Sequence, residues 1–203
     1  YIAARDPIGI RPLFYGYTEN GKICFGSTVS SLLTICKDIK AFPPGTYYVD
    51  GKFVEYRKIY EASGVVSEDI FKNIHDKLIA GVLKRMDADA KVGYLLSGGL
   101  DSSLVCAIAQ KHSDKPIRTF SIGMEDDAID LKYARKVADY IGCDHTEFKM
   151  SKDDILNALP EVIRILETWD ITTIRASLGM YILCKKIQKT TDIKVILTGE
   201  VSD

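Results

Sequence analysis

Residues 92–96 form a short apolar run that ends in Ser97-Gly98-Gly99-Leu100-Asp101-Ser102-Ser103, and a helical pattern follows at once. A strand that passes to a helix through two adjacent glycines restricts the fold sharply, because the strand must be buried and the helix must pack back against its sheet. The same turn is a cradle for pyrophosphate. Paired glycines let the backbone approach an anion closely, the hydroxyls of Ser97, Ser102 and Ser103 can donate to it, and the first turn of the helix points free N–H groups at it. Asp101 does not suit a bare phosphate cradle. A carboxylate beside phosphates is explained by Mg²⁺ between them, since that ion takes one or two carboxylates and fills its shell with phosphate oxygens and water. The loop lacks Walker spacing and carries no lysine for a β/γ-phosphate, so it suits release of pyrophosphate better than γ-phosphoryl transfer.

Around this loop, strands and helices alternate. The pattern predicts strands at 92–96, 117–122, 145–150 and 194–197. Helices are predicted at 102–111, at 131–141 closed by Gly142, from about 153 with a kink or restart near Pro160, and at 175–189. Short apolar strands separated by helices imply an α/β fold with a parallel sheet, whose ligands bind at the carboxyl ends of the strands. The Ser97 loop and the Thr198-Gly199-Glu200 loop both follow strands, so both fall on that edge.

The first sixty residues differ. Residues 13–18 and 22–26 flank Glu19-Asn20-Gly21, and 46–49 and 52–56 flank Asp50-Gly51, two hairpin signals of the type I′ kind. Residues 29–35 read as a short helix and Pro43-Pro44-Gly45 as a rigid turn. The character changes after Ala62: residues 63–67 read as a linker, Ser67 as a helix cap, and Phe71, Ile74, Leu78 and Val82 as one helical face. The domain reading is therefore 1–61 and 62–203.

With 46% hydrophobic and 27% charged residues and a net charge of −1, the chain is of ordinary globular composition and offers no basic surface for nucleic acid or an anionic membrane. No apolar run approaches the roughly 20 residues of a membrane span. Five cysteines, none in a Cys-x-x-Cys pair, suggest reduced thiols and a cytosolic location. His75, His112 and His145 are isolated and receive no chemistry, and Glu125-Asp126-Asp127 reads as a solvated loop. The chain opens inside a strand and stops with a loop just begun, which reads as a fragment.

The string Ser97-Gly98-Gly99-Leu100-Asp101-Ser102-Ser103 closely resembles the signature of the ATP-pyrophosphatase (PP-loop) superfamily. Two more strings narrow the resemblance. Glu167-Thr-Trp-Asp-Ile-Thr-Thr-Ile-Arg-Ala-Ser177 and Thr198-Gly-Glu-Val-Ser-Asp203 are similar to segments of the glutamine-hydrolysing asparagine synthetases. Ala4-Arg5-Asp6-Pro7-Ile8-Gly9-Ile10-Arg11-Pro12 and Phe42-Pro43-Pro44-Gly45-Thr46 resemble the closing part of a class II (Ntn-type) glutamine amidotransferase domain, which precedes the PP-loop domain in that family.

The resemblance implies a ligase that uses ATP and Mg²⁺ to convert aspartate to asparagine through β-aspartyl-AMP, with nitrogen from glutamine or ammonia and release of AMP and pyrophosphate. It implies that Ser97, Gly98, Gly99, Asp101, Ser102 and Ser103 hold pyrophosphate, and that Asp101 and Asp203 hold the metal. Leu95, Ile122, Thr198 and Gly199 match nucleotide contacts, though Leu95 and Ile122 read equally as core residues. Glu200 matches a glutamate of the ammonia-dependent step and otherwise reads as a surface acid. Thr172, Thr173 and Arg175 belong by likeness to the substrate pocket, while as residues they also suit a helix cap and a surface ion pair. Val201 stands where the family loop carries glycine. The cysteine nucleophile of the amidotransferase is not in this chain, so the fragment alone is expected to be inactive. A homodimer is left open. The competing readings are another amide ligase of the β-lactam synthetase kind and a non-catalytic nucleotide-binding homologue.

Overall fold

The computed structural model describes residues 1–59, 69–124 and 128–200. The linker at 63–67, the Ser67 cap, the acidic loop 125–127, Val201 and Asp203 lie outside the described residues. The chain divides into two compact units, Tyr1–Ser67 and Glu68–Asp203.

Among the described residues the first unit holds six strands: β1 (Ala3–Ala4), β2 (Phe14–Tyr17), β3 (Ile23–Gly26), β4 (Lys37–Ala41), β5 (Thr46–Val49) and β6 (Lys52–Glu55). They form two antiparallel sheets, ordered β1-β5-β6 and β3-β2-β4. Both central residues of the Asp50-Gly51 turn have positive φ, +47° and +80°, as a type I′ turn requires. The first hairpin is different: Gly21 is left-handed but Asn20 is not, and the Gly21 N–H donates to the Thr18 carbonyl. That is a tight turn followed by a left-handed glycine, which reaches the same strand twist with one residue more. Residues 29–35 are a run of turns rather than a helix, with the Leu32 and Leu33 N–H groups both on the Val29 carbonyl and the Cys36 N–H on that of Leu32. The segment is too short to repay helix nucleation, and β4 follows it directly.

Aromatic rings fill this unit. Phe42 is fully buried, and Phe53 packs its ring 4.9 Å from Tyr15, 5.3 Å from Phe42 and 5.1 Å from Tyr48. The loop after β1 is tied by a pair of opposite charges that never meet each other. Arg5 donates to the carbonyls of Gly9, Arg11 and Phe42, and the Asp6 carboxylate accepts from the N–H groups of Ile8, Ile10 and Arg11. Those backbone donors, led by Ile10 and Arg11, hold the Asp6 carboxyl below its ordinary range.

The second unit contains α1 (Ile70–Met86), β7 (Val92–Leu95), α2 (Leu100–Lys111), β8 (Arg118–Met124), α3 (Ile129–Ile141), β9 (Asp144–Met150), α4 (Lys152–Leu166), α5 (Ile171–Thr190) and β10 (Val195–Leu197). Its four strands form one parallel sheet, ordered β10-β7-β8-β9, which is the α/β architecture expected. Alternation along the strands feeds two cores. Tyr94, Leu96 and Leu197 pack with Val82, Cys106, Ala109, Ala134 and Ala138 of α1, α2 and α3. Leu95 and Phe120 pack on the other face with Leu183 and Ile187 of α5. Each buried Leu or Phe contributes about 1.5–3 kcal/mol, so the sheet is held between its helix layers by side chains from successive strand positions.

Helix α4 does not restart at Pro160. Ser151 and Asp154 form a reciprocal capping box at its start, and Ala158 and Val162 bury its inner face, which outweighs the one hydrogen bond that proline removes. Helix α3 ends on Gly142, left-handed at φ +73°, as its position predicts.

Candidate functional site

The carboxyl ends of the parallel strands open into a cleft of about 400 Å³. Its walls come from every strand of the sheet: Leu95, Leu96 and Ser97 after β7, Phe120, Ser121 and Ile122 of β8, Met150 of β9, and Thr198, Gly199 and Glu200 after β10. Asp101 and Ser102 of α2, Asp130 of α3, and Ala176, Gly179, Met180 and Leu183 of α5 close the remaining sides. The four α5 residues recur at helical spacing, so they form one stripe facing the cleft.

Helix α2 begins at Leu100, two residues earlier than the sequence pattern predicts, with Gly99 as its extended N-cap. Asp101 and Ser102 therefore belong to its first turn, where backbone N–H groups lack partners within the helix, while the Ser103 N–H makes the first helical bond, to the Gly99 carbonyl. The serines organise the turn before any ligand arrives. Ser97 Oγ and Ser102 Oγ lie 2.9 Å apart, the Ser97 N–H donates to Ser102 Oγ at 3.3 Å, and the Gly99 N–H donates to Ser97 Oγ at 3.3 Å.

Two glycines make the site possible. Gly98 is left-handed at φ +84°, and a Cβ there would lie 2.6 Å from the backbone N of Ala134 and from the carbonyl carbon of Tyr133. The turn thus rests directly on helix α3. A Cβ on Gly199 would lie 2.6 Å from the Ser102 N and 2.7 Å from the Asp101 carbonyl carbon. The loop after β10 therefore sits against the first turn of α2, and two segments about a hundred residues apart in sequence share one wall.

Of the residues singled out from sequence, Leu95, Ser97, Gly99, Asp101, Ser102, Ile122, Thr198, Gly199 and Glu200 line the cleft. Gly98 lies behind it, against α3. Ser103 does not line it; its Oγ is buried without a hydrogen-bond partner among the described residues. Thr172, Thr173 and Arg175 also fall outside the lining: Thr172 and Thr173 lie one turn before the Ala176–Leu183 stripe, at the amino-terminal end of α5, and Arg175 is turned about 100° away from Ala176. Thr173 instead completes the helix cap, donating to Asp170 Oδ2 from its N–H at 2.7 Å and its hydroxyl at 2.6 Å. That hydroxyl, then that N–H, lowers the Asp170 pKa. Arg175 is exposed.

Asp130, Ser121 and the α5 stripe are cleft residues that the sequence reading passed over. The helical spacing of Ala176, Gly179, Met180 and Leu183 is visible in the sequence, whereas Ser121 and Asp130 carry no motif. Behind Ser121, itself buried, His145 bridges two hydroxyls, with Nε2 3.0 Å from Ser121 Oγ and Nδ1 2.8 Å from Thr119 Oγ1.

Among the described residues no group of three or more His, Cys, Asp or Glu side chains is placed to hold a metal ion. Asp101 on a phosphate-sized turn is nonetheless the donor expected of Mg²⁺, which needs only one or two carboxylates when phosphate oxygens and water complete its shell. Among the described residues no helix is long and apolar enough to cross a membrane.

The asparagine synthase family model matches residues 73–203. The chain belongs to the asparagine synthase family. It is 40% identical over 226 residues to the probable glutamine-hydrolysing asparagine synthetase of Dictyostelium discoideum, covering 100% of this chain and 40% of that protein. It is 41% identical over 234 residues to the human glutamine-hydrolysing asparagine synthetase, covering 98% of this chain and 41% of the relative. The chain thus spans about two fifths of the length of these relatives. Among solved structures, the NH₃-dependent NAD synthetase from Campylobacter jejuni aligns with 62% of this chain and 55% of its own, at 16% identity and a TM-score of 0.41.

Proposed function

We propose that this chain supplies the ATP-binding half of an enzyme that makes asparagine from aspartate, ATP and a nitrogen donor, glutamine or ammonia. The observation that carries the reading is the seating of Gly199 on the Asp101–Ser102 turn, which brings two strand-end loops to one cleft. Pyrophosphate lies on the Ser97–Ser102 turn, held by hydroxyls and by the N–H groups of the first turn of α2. Asp101, with Asp203 four residues after Gly199 in sequence, would hold Mg²⁺, whose charge would favour departure of pyrophosphate. Adenosine occupies the apolar part of the cleft beside Leu95 and Ile122, with Thr198 and Gly199 across from them.

In this reading the side-chain carboxylate of aspartate attacks the α-phosphorus. The bond to the bridging oxygen of pyrophosphate breaks, and β-aspartyl-AMP remains. Ammonia then attacks the acyl carbon, a proton passes to Glu200, and AMP leaves with the carbon–oxygen bond electrons. Most of the acceleration comes from placing the reactants and neutralising charge. Thr172, Thr173 and Arg175 belong to the aspartate side only if they act from beyond the present cleft wall; the Asp170–Thr173 cap supports a structural role for Thr173. Residues 1–61 are the closing part of the glutamine amidotransferase domain, a reading supported by the antiparallel sheets of the first unit. Five free cysteines support a reducing, cytosolic compartment.

The test is formation of AMP and pyrophosphate from Mg·ATP by the intact protein, with and without aspartate, using ammonium and then glutamine. Aspartate-dependent pyrophosphate with asparagine as product is the expected result. Pyrophosphate release independent of aspartate would remove the assignment.

A further inference from the structure

His145 is half-buried, yet it meets a hydroxyl on each ring nitrogen. The chain of contacts continues beyond Thr119. Thr119 Oγ1 lies 3.1 Å from Cys143 Sγ, and that thiol donates to the Ala138 carbonyl at 3.7 Å. Burial raises the Cys143 pKa, so the group is a thiol at neutral pH and has one S–H to place. The far end of the chain is a carbonyl, which can only accept.

The Ala138 carbonyl also accepts from the N–H groups of Gly142 and Cys143, so the S–H adds a weaker third bond there, and it is the count of bonds along the chain that favours one proton direction. With the Cys143 S–H on the Ala138 carbonyl, Sγ accepts from the Thr119 hydroxyl, Thr119 Oγ1 accepts from His145 Nδ1–H, and the bare Nε2 accepts from the Ser121 hydroxyl. This arrangement makes four internal hydrogen bonds. The reverse direction makes three and leaves the Ser121 proton without a partner in the protein. We propose that His145 is a positioning residue that holds Ser121 as a hydrogen-bond acceptor on the cleft wall, so that the bound ligand meets Ser121 with an N–H or O–H donor.

The inference rests on the cleft being the nucleotide site. An adenine nucleotide offers two kinds of donor, the 6-amino group of the base and the ribose hydroxyls. Protonation of His145 would put a second N–H on the ring, make Ser121 accept from Nε2, and turn the Ser121 hydroxyl toward the ligand as a donor. Only Ser121 changes role. Burial, then the charge of Arg135 on α3, lowers the His145 pKa against the opposing pull of Glu147, Asp139 and Asp144. Arg135 is itself held by Glu147 at 2.8 Å, and Arg118 of β8 lies 3.7 Å from Asp144. His145 is therefore neutral at pH 7, and the reversal falls below its ordinary range near 6.5.

The experiment uses ¹⁵N-histidine-labelled protein, with His145 assigned by its loss in His145→Gln. The expected result at pH 7 is a neutral Nδ1–H tautomer; an Nε2–H tautomer overturns the proposal whether or not nucleotide binds. In parallel, affinity for Mg·ATP is measured from pH 8 downward. Ser121→Ala should weaken binding about three- to tenfold at pH 8, the net value of one hydrogen bond, and should remove the loss that wild type shows as His145 protonates. Mg·ITP, which replaces the amino donor with an acceptor, and 2′- and 3′-deoxy-ATP identify the donor: the analogue lacking it should show no further loss in Ser121→Ala. Equal pH profiles for wild type and Ser121→Ala would overturn the proposal. No binding of any nucleotide, with the Nδ1–H tautomer present, would instead remove the nucleotide reading of the cleft.

Discussion

Replacing Gly98 and Gly142 separately with alanine isolates what the turn after β7 costs. Both residues are left-handed, at φ +84° and +73°. An L-residue in that region costs about 1–2 kcal/mol from backbone sterics alone. At Gly142 an added Cβ meets nothing within 4 Å, so this is its whole cost. At Gly98 the Cβ would stand 2.6 Å from two backbone atoms of α3 and 2.7 Å from Tyr133 Cβ. Backbone cannot rotate away as a side-chain tip can, so either α3 or the turn must move. Overpacking of that kind adds about 1–3 kcal/mol, for a total of about 2–5 kcal/mol. At about 2–4 °C per kcal/mol for a chain of this size, Gly142→Ala should lower Tm by about 2–8 °C and Gly98→Ala by about 4–20 °C. Urea unfolding midpoints at constant m measure the same difference. If Gly98→Ala were no more destabilising than Gly142→Ala, the direct seating of the turn on α3 would be wrong.

Other outcomes follow from the same geometry. Gly199→Ala should weaken Mg·ATP binding by about 10- to 100-fold and cost about 1–3 kcal/mol of stability, because its Cβ would press on the Asp101–Ser102 backbone and force apart the two loops of the cleft; isothermal titration and urea unfolding check it. Asp101→Asn should retain the fold by circular dichroism and lose the Mg²⁺-dependence of pyrophosphate release. Ser151→Ala should cost about 1 kcal/mol in urea unfolding through loss of the α4 cap. Asp154 is held below its ordinary value of 3.8, chiefly by the Ser151 N–H and then its side chain, so its contribution is present above pH 3.8 and lost as pH falls through the lower folded value. Asp154→Asn should flatten that acid limb of a stability–pH curve. Burial pushes the Cys106 thiol up to about 12, so it should resist thiol reagents at pH 8 until urea unfolds the chain.

The second unit was largely legible because β7 and β10 are apolar runs bounded by turn residues, and its helices repeat apolar positions at the helical period. The Asp50-Gly51 hairpin was legible for a different reason, since two residues of positive φ leave a narrow choice of turn. Residues 29–35 were misread because Val29, Leu32 and Leu33 fit one helical turn, and one turn is also what two overlapping tight turns produce. Strand β4, Lys37-Asp-Ile-Lys-Ala41, was missed since a mostly exposed edge strand has little apolar alternation to show. At the site, the glycine–serine loop announced itself through composition. Asp130, Ser121 and His145 did not: Asp130 reaches the cleft from the first turn of α3, and only the strand register brings His145 to Ser121, since it pairs with Thr119, two residues before Ser121 on the same face of β8. Arg175 and Ala176 are neighbours in sequence, but the helix turns about 100° between them, and only Ala176 joins the cleft.

The order β10-β7-β8-β9 also governs when the cleft can exist. Val195 pairs with Val92, so the edge of the sheet closes a chain segment longer than a hundred residues, after α2 through α5 have formed between its ends. Closure at that separation is entropically slow, and among the described strands of this sheet it is the pairing that must wait longest during synthesis from the amino terminus. The Ser97 turn is complete long before Gly199 reaches it. A nucleotide that requires both loops would therefore bind only molecules in which β10 has docked, and by mass action it would draw frayed molecules into that state. Ligand in the cleft would act as a latch on the edge of the sheet, slowing hydrogen exchange at residues 195–197 more than at the interior strands.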